Sequence, residues 1–158
     1  MKRLLTPLLV VVSLALHAQI DPVNKNQVAI GGYDVVAYFR AGRATKGDPR
    51  YQSQHESVTY HFVNAENKEL FDKDPSKYVP QYGGYCALAV SYGQKISVNP
   101  ETFKVVDDKL YLFFNGHTRR GQVNSLETWN KNEPRLLEKA DRLWPDVKKK
   151  KYNSKETL

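Results

Sequence analysis

The sequence predicts an α+β fold, in one small domain of antiparallel hairpins and short helices that ends in a pair of C-terminal helices. Three observations support this prediction. Two segments rich in β-branched and aromatic residues each contain a two-residue turn between strand-like halves. From about Gln122 the apolar spacing becomes helical. Strands and long helices do not alternate along the chain, which argues against a parallel α/β sheet.

The first hairpin is predicted around Glu56-Ser57, followed by a strand in which Val58, Tyr60 and Phe62 share one face. The second is predicted on the two sides of Asp107-Asp108. Each strand pair is expected to bury one face against helices, because an antiparallel sheet of this kind commonly has one buried and one solvated side.

Short helices are expected between and after the hairpins. Asn64 is the predicted cap of one helix, and Asp74-Pro75 combines a cap with a proline at the first helical position. Pro134, after Asn132 as a cap, is expected near the start of the last helix. The apolar stripe of that helix is formed by Leu136, Leu137, Ala140, Leu143 and Trp144.

Residues 1–18 have the composition of a secretory signal peptide. Lys2 and Arg3 precede an apolar run of about 15 residues, which is shorter than the roughly 20 residues of a membrane-spanning helix. Ala18 stands where a signal peptidase would cut before Gln19. We therefore expect export to the periplasm or the extracellular space, with cleavage favoured over a retained membrane anchor.

The formal net charge of +7 belongs mainly to the two ends of the chain. Residues 19–147, the expected domain, carry a net charge of only +1. A nearly neutral exported domain argues against nucleic acid as a partner. Residues 148–158 contain five lysines and are expected to form a disordered basic tail, with contact to an anionic membrane surface as the alternative.

Cys86 is the only cysteine, so no disulfide can form within the chain. Three interpretations of its thiol are open: a packed core residue, a ligand of a soft metal ion, and a nucleophile. The glycines before it permit a positive φ or a close backbone approach, so a small ligand could reach this bend. The candidate ligand-binding residues are Asp34, which is also a candidate helix cap, and the segment Tyr82, Gly83, Gly84 and Tyr85.

Residues 59–78 resemble the core of a YHS domain, a small family named for a Tyr-His-Ser signature. The family pattern is an aromatic strand, a short helix that ends in Phe, an acidic-Pro step and a Tyr. These features fall here on Tyr60-His61-Phe62, Phe71, Asp74-Pro75 and Tyr78. With GYDVVAYF before this core and YVPQYGGYCA after it, most of the chain is similar to exported bacterial YHS-domain proteins.

The resemblance implies a binding module with a copper-like metal ion as the favoured ligand. In metal-binding members two cysteines follow the aromatic strand, four residues apart; Val63 and Asn67 stand at those positions here, and neither binds a soft metal. Since a thiolate and an imidazole both bind copper, the metal ligands expected from the remaining residues are Cys86 and His61, with His117 or His55 as a candidate third ligand.

We therefore expect an exported, non-enzymatic binding module for a copper-like metal ion or a small ligand at residues 82–86. Two alternatives stay open at this point. One is a thiol-dependent enzyme or redox protein that uses Cys86 and a histidine. The other is a structural or interaction domain without a small-molecule site.

Overall fold

A computed structural model of the chain describes residues 21–152. The predicted signal peptide, residues 1–18, lies outside the described residues, as do residues 153–158 of the predicted tail. The described part has the α+β fold that the sequence predicts, with six α-helices and three separate two-stranded antiparallel sheets. No helix within residues 21–152 combines the length and the apolar character that a bilayer crossing requires.

The strands pair in chain order as three hairpins. These are β1 (Asp48–His55) with β2 (Val58–Phe62), β3 (Asn99–Val106) with β4 (Lys109–Phe113), and β5 (Asn115–Thr118) with β6 (Gly121–Asn124). The helices are α1 (Ala37–Arg40), α2 (Ala65–Lys73), α3 (Pro75–Tyr78), α4 (Ala87–Val90), α5 (Ser125–Asn130) and α6 (Glu133–Lys149).

Both predicted hairpins are confirmed. Their central residues have positive φ angles, 49° and 65° at Glu56 and Ser57, and 48° and 55° at Asp107 and Asp108. Two left-handed residues give a turn whose twist matches that of the flanking strands. Tyr60 and Phe62 point to the buried face of β2, as their alternation predicts.

The third hairpin corrects the prediction that helical structure starts at about Gln122. Gly121–Asn124 forms β6, and α5 begins at Ser125. The strands of this hairpin have no buried position, so their sequence lacks the apolar alternation that marks a strand.

The predicted helix starts are largely confirmed. The side chain of Asn64 accepts a hydrogen bond from the amide of Asn67 at 2.8 Å, and that of Asp74 accepts one from the amide of Lys77 at 3.3 Å. Asn132 occupies the capping position of α6 but makes no side-chain capping bond.

Two apolar clusters form the core. In the first, Phe71 of α2 packs on β2, with its ring 4.7 Å from that of Tyr60 and 5.1 Å from that of Phe62. In the second, the stripe of α6 packs with Trp129 of α5 and Phe113 of β4. The predicted stripe is confirmed: Leu136 and Ala140 are buried, and Leu137, Leu143 and Trp144 are partly buried against the same cluster.

The folded part of the chain extends past the boundary predicted at Val147. Helix α6 continues to Lys149, and Lys95 Nζ donates hydrogen bonds to the carbonyl oxygens of Lys148 at 2.9 Å and Lys150 at 2.7 Å. A lysine here satisfies carbonyl groups that have no partner within the helix. The start of the predicted tail is therefore part of the fold.

Candidate functional site

Two short turns with nearly the same backbone φ angles lie at the candidate site. The first glycine turn contains Ile30, Gly31 and Gly32, with φ angles of 45°, 57° and 83°; the second contains Tyr82, Gly83 and Gly84, with φ angles of 55°, 60° and 81°. In each, the amide of the following tyrosine donates to the carbonyl of the first residue, at 3.1 Å and 3.2 Å. The sequence X-Gly-Gly-Tyr therefore builds the same left-handed turn twice, where glycine is the residue without a steric penalty.

The two turns pack against each other. A Cβ atom on Gly84 would lie 2.9 Å from Cδ1 of Ile30 and 3.1 Å from Cβ of Pro22, so only glycine allows this approach. Gly83 is more open, since a Cβ there would be 3.4 Å from Cη2 of Trp144. The second turn thus has one glycine buried against the first turn and one turned toward α6.

A cavity of about 410 Å³ lies beside this pair of turns. Its size falls in the usual range of small-molecule pockets. The walls come from the N-terminal segment, the first glycine turn, the β1–β2 hairpin, the second glycine turn and α6. The lining residues include Ile30, Val58, Tyr60, Tyr82, Gly83 and Trp144.

The two tyrosines of the cavity wall have phenols that stay protonated at neutral pH. Burial, with a smaller effect of Glu56, raises the pKa of Tyr60 to about 12. Burial also raises the pKa of Tyr82, and its hydrogen bond to Asp141 raises it further. Tyr82 Oη donates that bond to Oδ1 of Asp141 at 2.7 Å, which fixes its ring against α6.

Of the predicted ligand-binding residues, Tyr82 and Gly83 line the cavity. Gly84 instead forms the contact between the two turns. The ring of Tyr85 lies 5.1 Å from that of Tyr152, and Lys95 Nζ is 5.2 Å from its centroid. Tyr85 therefore helps to hold the C-terminal end of the described chain.

Asp34 is fully buried, and its carboxylate accepts four hydrogen bonds. Oδ1 accepts from the amides of Val36 at 2.8 Å and Ala37 at 3.1 Å, and Oδ2 accepts from the amide of Val63 at 2.8 Å and Nδ2 of Asn67 at 2.7 Å. These bonds fit the capping role, and they join α1 to β2 and α2. Asp34 is not among the residues of the cavity wall.

Val63 and Asn67 are the positions at which the family resemblance places metal-binding cysteines. In this fold both donate to the same oxygen of Asp34. Both positions are therefore tied to a buried carboxylate by amide hydrogen bonds, one from the backbone of Val63 and one from the side chain of Asn67.

Cys86 is 2% exposed and packs in the first apolar cluster. Its Sγ lies 3.2 Å from Oγ of Ser125, which in turn donates to the carbonyl of Phe114 at 2.7 Å. Because a serine hydroxyl has only one proton, the thiol must be the donor to Ser125. Helix α4 begins at Ala87, and Cys86 occupies its N-terminal capping position.

His61 lies half-buried on β2, and its Nδ1 is 3.0 Å from where a Cβ on Gly32 would be. Burial lowers the pKa of His61, and the nearby Lys46 lowers it further, with a partial opposing effect of Asp48. A cation beside an imidazole also opposes binding of a metal ion there.

The surroundings of Cys86 and His61 do not favour a copper-like ion. Within residues 21–152 there is no group of three or more His, Cys, Asp or Glu side chains that could hold a metal ion. The thiol of Cys86 donates to a hydroxyl, and Lys46 stands near His61. The metal ligands expected from sequence thus stay a prediction without geometric support.

Several residues of the cavity wall were not predicted from sequence. They are Ile30, Val58 with Tyr60, and Trp144 with Lys148, which come from three distant parts of the chain and meet only through the fold. The repetition of X-Gly-Gly-Tyr at Ile30 and Tyr82 was a usable signal, because two identical left-handed turns indicate two constrained backbone sites.

No family model, curated protein or solved structure matches this chain. The resemblance to YHS domains therefore stays a prediction.

Proposed function

We propose that the chain is an exported, non-enzymatic binding module that takes up a small amphipathic organic molecule in the cavity beside the glycine turns. The observation that carries the proposal is the position of this cavity of about 410 Å³, whose wall includes Tyr82 and Gly83 of the predicted binding segment. Export is supported by the signal-like composition of residues 1–18.

The lining suits an amphipathic ligand. Ile30, Val58 and Trp144 supply apolar surface, and Glu56 and Lys148 supply charge. Pockets for small organic molecules have this combination of mostly apolar walls and a few polar groups that fix orientation. The Tyr82–Asp141 bond and the packed glycine turns hold the wall in place, which lowers the entropic cost of binding.

A binding role without catalysis is supported by the burial and protonation of the candidate reactive side chains. The Cys86 thiol and the Asp34 carboxylate are buried and hydrogen-bonded to other parts of the protein. The phenols of Tyr60 and Tyr82 stay neutral, as their raised pKa values require. A catalytic acid, base or nucleophile needs access to substrate and a proton that it can exchange.

A cavity-filling variant tests the site. Val58 is half-buried on β2 and lines the cavity, so Val58→Trp should fill much of its volume with an indole. Residues 19–158 are titrated with the fluorescent probe 8-anilinonaphthalene-1-sulfonate, and Val58→Trp should weaken binding at least tenfold. The matched control is Gln54→Trp, which adds the same ring at an exposed position of β1 and should leave binding unchanged.

Equal probe binding by wild type, Val58→Trp and Gln54→Trp would contradict the cavity as the binding site, provided that circular dichroism shows all three folded. Export is tested separately by expressing the full chain in a bacterial host. Mass spectrometry of periplasmic extract and medium should find a mature protein that begins at Gln19. An uncleaved chain confined to the cytoplasm would contradict export.

A further inference from the structure

Two side chains of opposite charge line the cavity, Glu56 and Lys148. Glu56 is at the exposed turn of the β1–β2 hairpin, and Lys148 is at the exposed end of α6. Among the described residues, neither takes part in an ion pair. The two charges therefore face one cavity without neutralising each other.

Lys148 differs in this respect from the two lysines that directly follow it, Lys149 and Lys150. Lys149 Nζ is 3.3 Å from Oδ1 of Asp146, and Lys150 Nζ donates to the carbonyl of Gly93 at 2.8 Å. Both ammonium groups are thus engaged within the protein. Lys148 lines the cavity and has no such acceptor among the described residues, so its charge is available to a ligand.

Both charges are attached to backbone that is held in place. Glu56 occupies a turn position with a φ of 49°, which the hairpin pairing of β1 and β2 fixes. The carbonyl of Lys148 accepts a hydrogen bond from Lys95 Nζ at 2.9 Å. Anchored charges recognise a matching ligand with less loss of conformational freedom than charges on a mobile segment.

The wall also contains His55, whose ring contacts the core side of the hairpin. Its ring packs edge to face on that of Phe71, with centroids 6.2 Å apart. The charge pattern of the cavity is therefore set by one anion and one cation, with the apolar surface of Ile30, Val58 and Trp144 on the same wall.

Resting on the proposed function, we infer that the cavity takes a zwitterionic amphipathic molecule, of the class of short peptides with free ends and an apolar side chain. The carboxylate of the ligand binds Lys148, its ammonium group binds Glu56, and its side chain packs against Trp144 and Val58. A ligand with only one charge would leave the opposite protein charge beside it unpaired.

The test uses the dipeptide phenylalanyl-alanine as the probe, together with its N-acetylated form and its C-terminal amide. Binding to residues 19–158 is followed by the tryptophan fluorescence of the protein, because none of the three peptides contains tryptophan. Of its two tryptophans, Trp129 is buried in the core and Trp144 lines the cavity, so a ligand in the cavity contacts Trp144. Each blocked peptide should bind wild type about two- to fivefold more weakly than the free dipeptide, which is the usual effect of one exposed ion pair.

Single-charge variants give a crossed pattern. Glu56→Gln should abolish the discrimination against the N-acetylated peptide only, and Lys148→Met should abolish the discrimination against the amide only. Lys149→Met, which changes the neighbouring paired lysine, should retain both differences. A merely structural effect of either substitution would not separate the two ends of the peptide.

The inference is overturned if the dipeptide gives no response, if the free and blocked forms bind wild type equally, or if the discrimination survives in the variants. These outcomes are distinguishable from failure of the proposed function. Probe binding that Val58→Trp abolishes would still establish the cavity as a binding site, for a ligand of another class.

Discussion

Cδ1 of Ile30 would lie 2.9 Å from a Cβ atom on Gly84, closer than side-chain atoms approach each other in folded proteins. The contact joins the first residue of one glycine turn to the last residue of the other. The cavity wall is built on these two turns, so the space that Gly84 leaves open controls the geometry of the site.

Gly84→Ala should therefore destabilise the protein through two separable effects. The left-handed backbone alone costs a non-glycine residue about 1–2 kcal/mol. The crowding of Ile30 and Pro22 should add about 1–3 kcal/mol. Urea unfolding measures the free energy of unfolding of the variant against wild type.

Gly42→Ala is the matched control for Gly84→Ala. Gly42 has a φ of 61°, and a Cβ there would have no neighbour within 4 Å, so only the backbone cost applies. If Gly42→Ala and Gly84→Ala lower the free energy of unfolding equally, the packing of the two glycine turns on each other does not contribute to stability.

The sequence predicts the hairpins and helix starts well because their signals are local. Val58, Tyr60 and Phe62 alternate within five residues, and Asn64 caps a helix that begins at the next position. The cavity is not predictable in this way. Tyr60 and Trp144 line the same cavity only after the chain has folded, and no local sequence pattern relates them.

Residues 82–86 likewise combine a feature that the local sequence predicts with others that depend on distant residues. The glycines correctly indicate positive φ angles at Gly83 and Gly84, because that property depends on the residue itself. The direction of each side chain depends on distant partners. Tyr82 points toward Asp141 and Cys86 toward Ser125, and neither partner can be identified from spacing.

The thiol of Cys86 should react with a thiol reagent only after unfolding. The thiol is 2% exposed and donates a hydrogen bond to Oγ of Ser125, so the reagent cannot reach it in the folded protein. Labelling with 5,5′-dithiobis-(2-nitrobenzoic acid) should be slow in buffer and fast in denaturant. Rapid labelling of the folded protein would favour the nucleophile interpretation.

Replacement of Asp34 should be costly for the fold. Asp34→Asn puts an amide donor among four donors, so at least one buried group loses its acceptor, at a cost of about 2–3 kcal/mol. Asp74→Asn is the matched control, because Asp74 caps α3 at an exposed site and asparagine caps a helix about equally well. Chemical unfolding compares the free energies of unfolding of the two variants. Equally small decreases in both would contradict the structural role of Asp34.

His61 should make stability fall in mild acid. Its pKa is lowered in the folded state by burial and then by Lys46, so the unfolded chain binds a proton more readily. This contribution to stability is complete above the ordinary histidine pKa of about 6.5 and is lost as the pH falls below it.

His61→Gln should therefore reduce the decrease in Tm between about pH 7 and pH 5, the interval around the ordinary histidine pKa. Lys46→Met removes the second cause and should reduce the decrease partly. Thermal unfolding at a series of pH values measures both effects. An unchanged pH dependence in His61→Gln would show that this imidazole does not link protonation to folding.

The last described residues should contribute measurably to stability. Tyr152 Oη donates to Oδ1 of Asp21 at 2.5 Å, and its ring packs on that of Tyr85, so the contact ties the two ends of the described chain together. Tyr152→Ala should lower the free energy of unfolding by about 1–2 kcal/mol, because it removes both contacts. Tyr152→Phe keeps the ring and should lose only the hydrogen bond, about 1 kcal/mol or less.

The same variants connect this contact to the site. Pro22, next to Asp21, and Lys148 both line the cavity, so loosening the chain ends should also weaken binding of 8-anilinonaphthalene-1-sulfonate. Tyr152→Ala should reduce probe affinity more than Tyr152→Phe, in the order of their stability losses. If Tyr152→Ala changes neither stability nor probe binding, the contact is not maintained in solution, and the domain ends near Val147 as the sequence predicts.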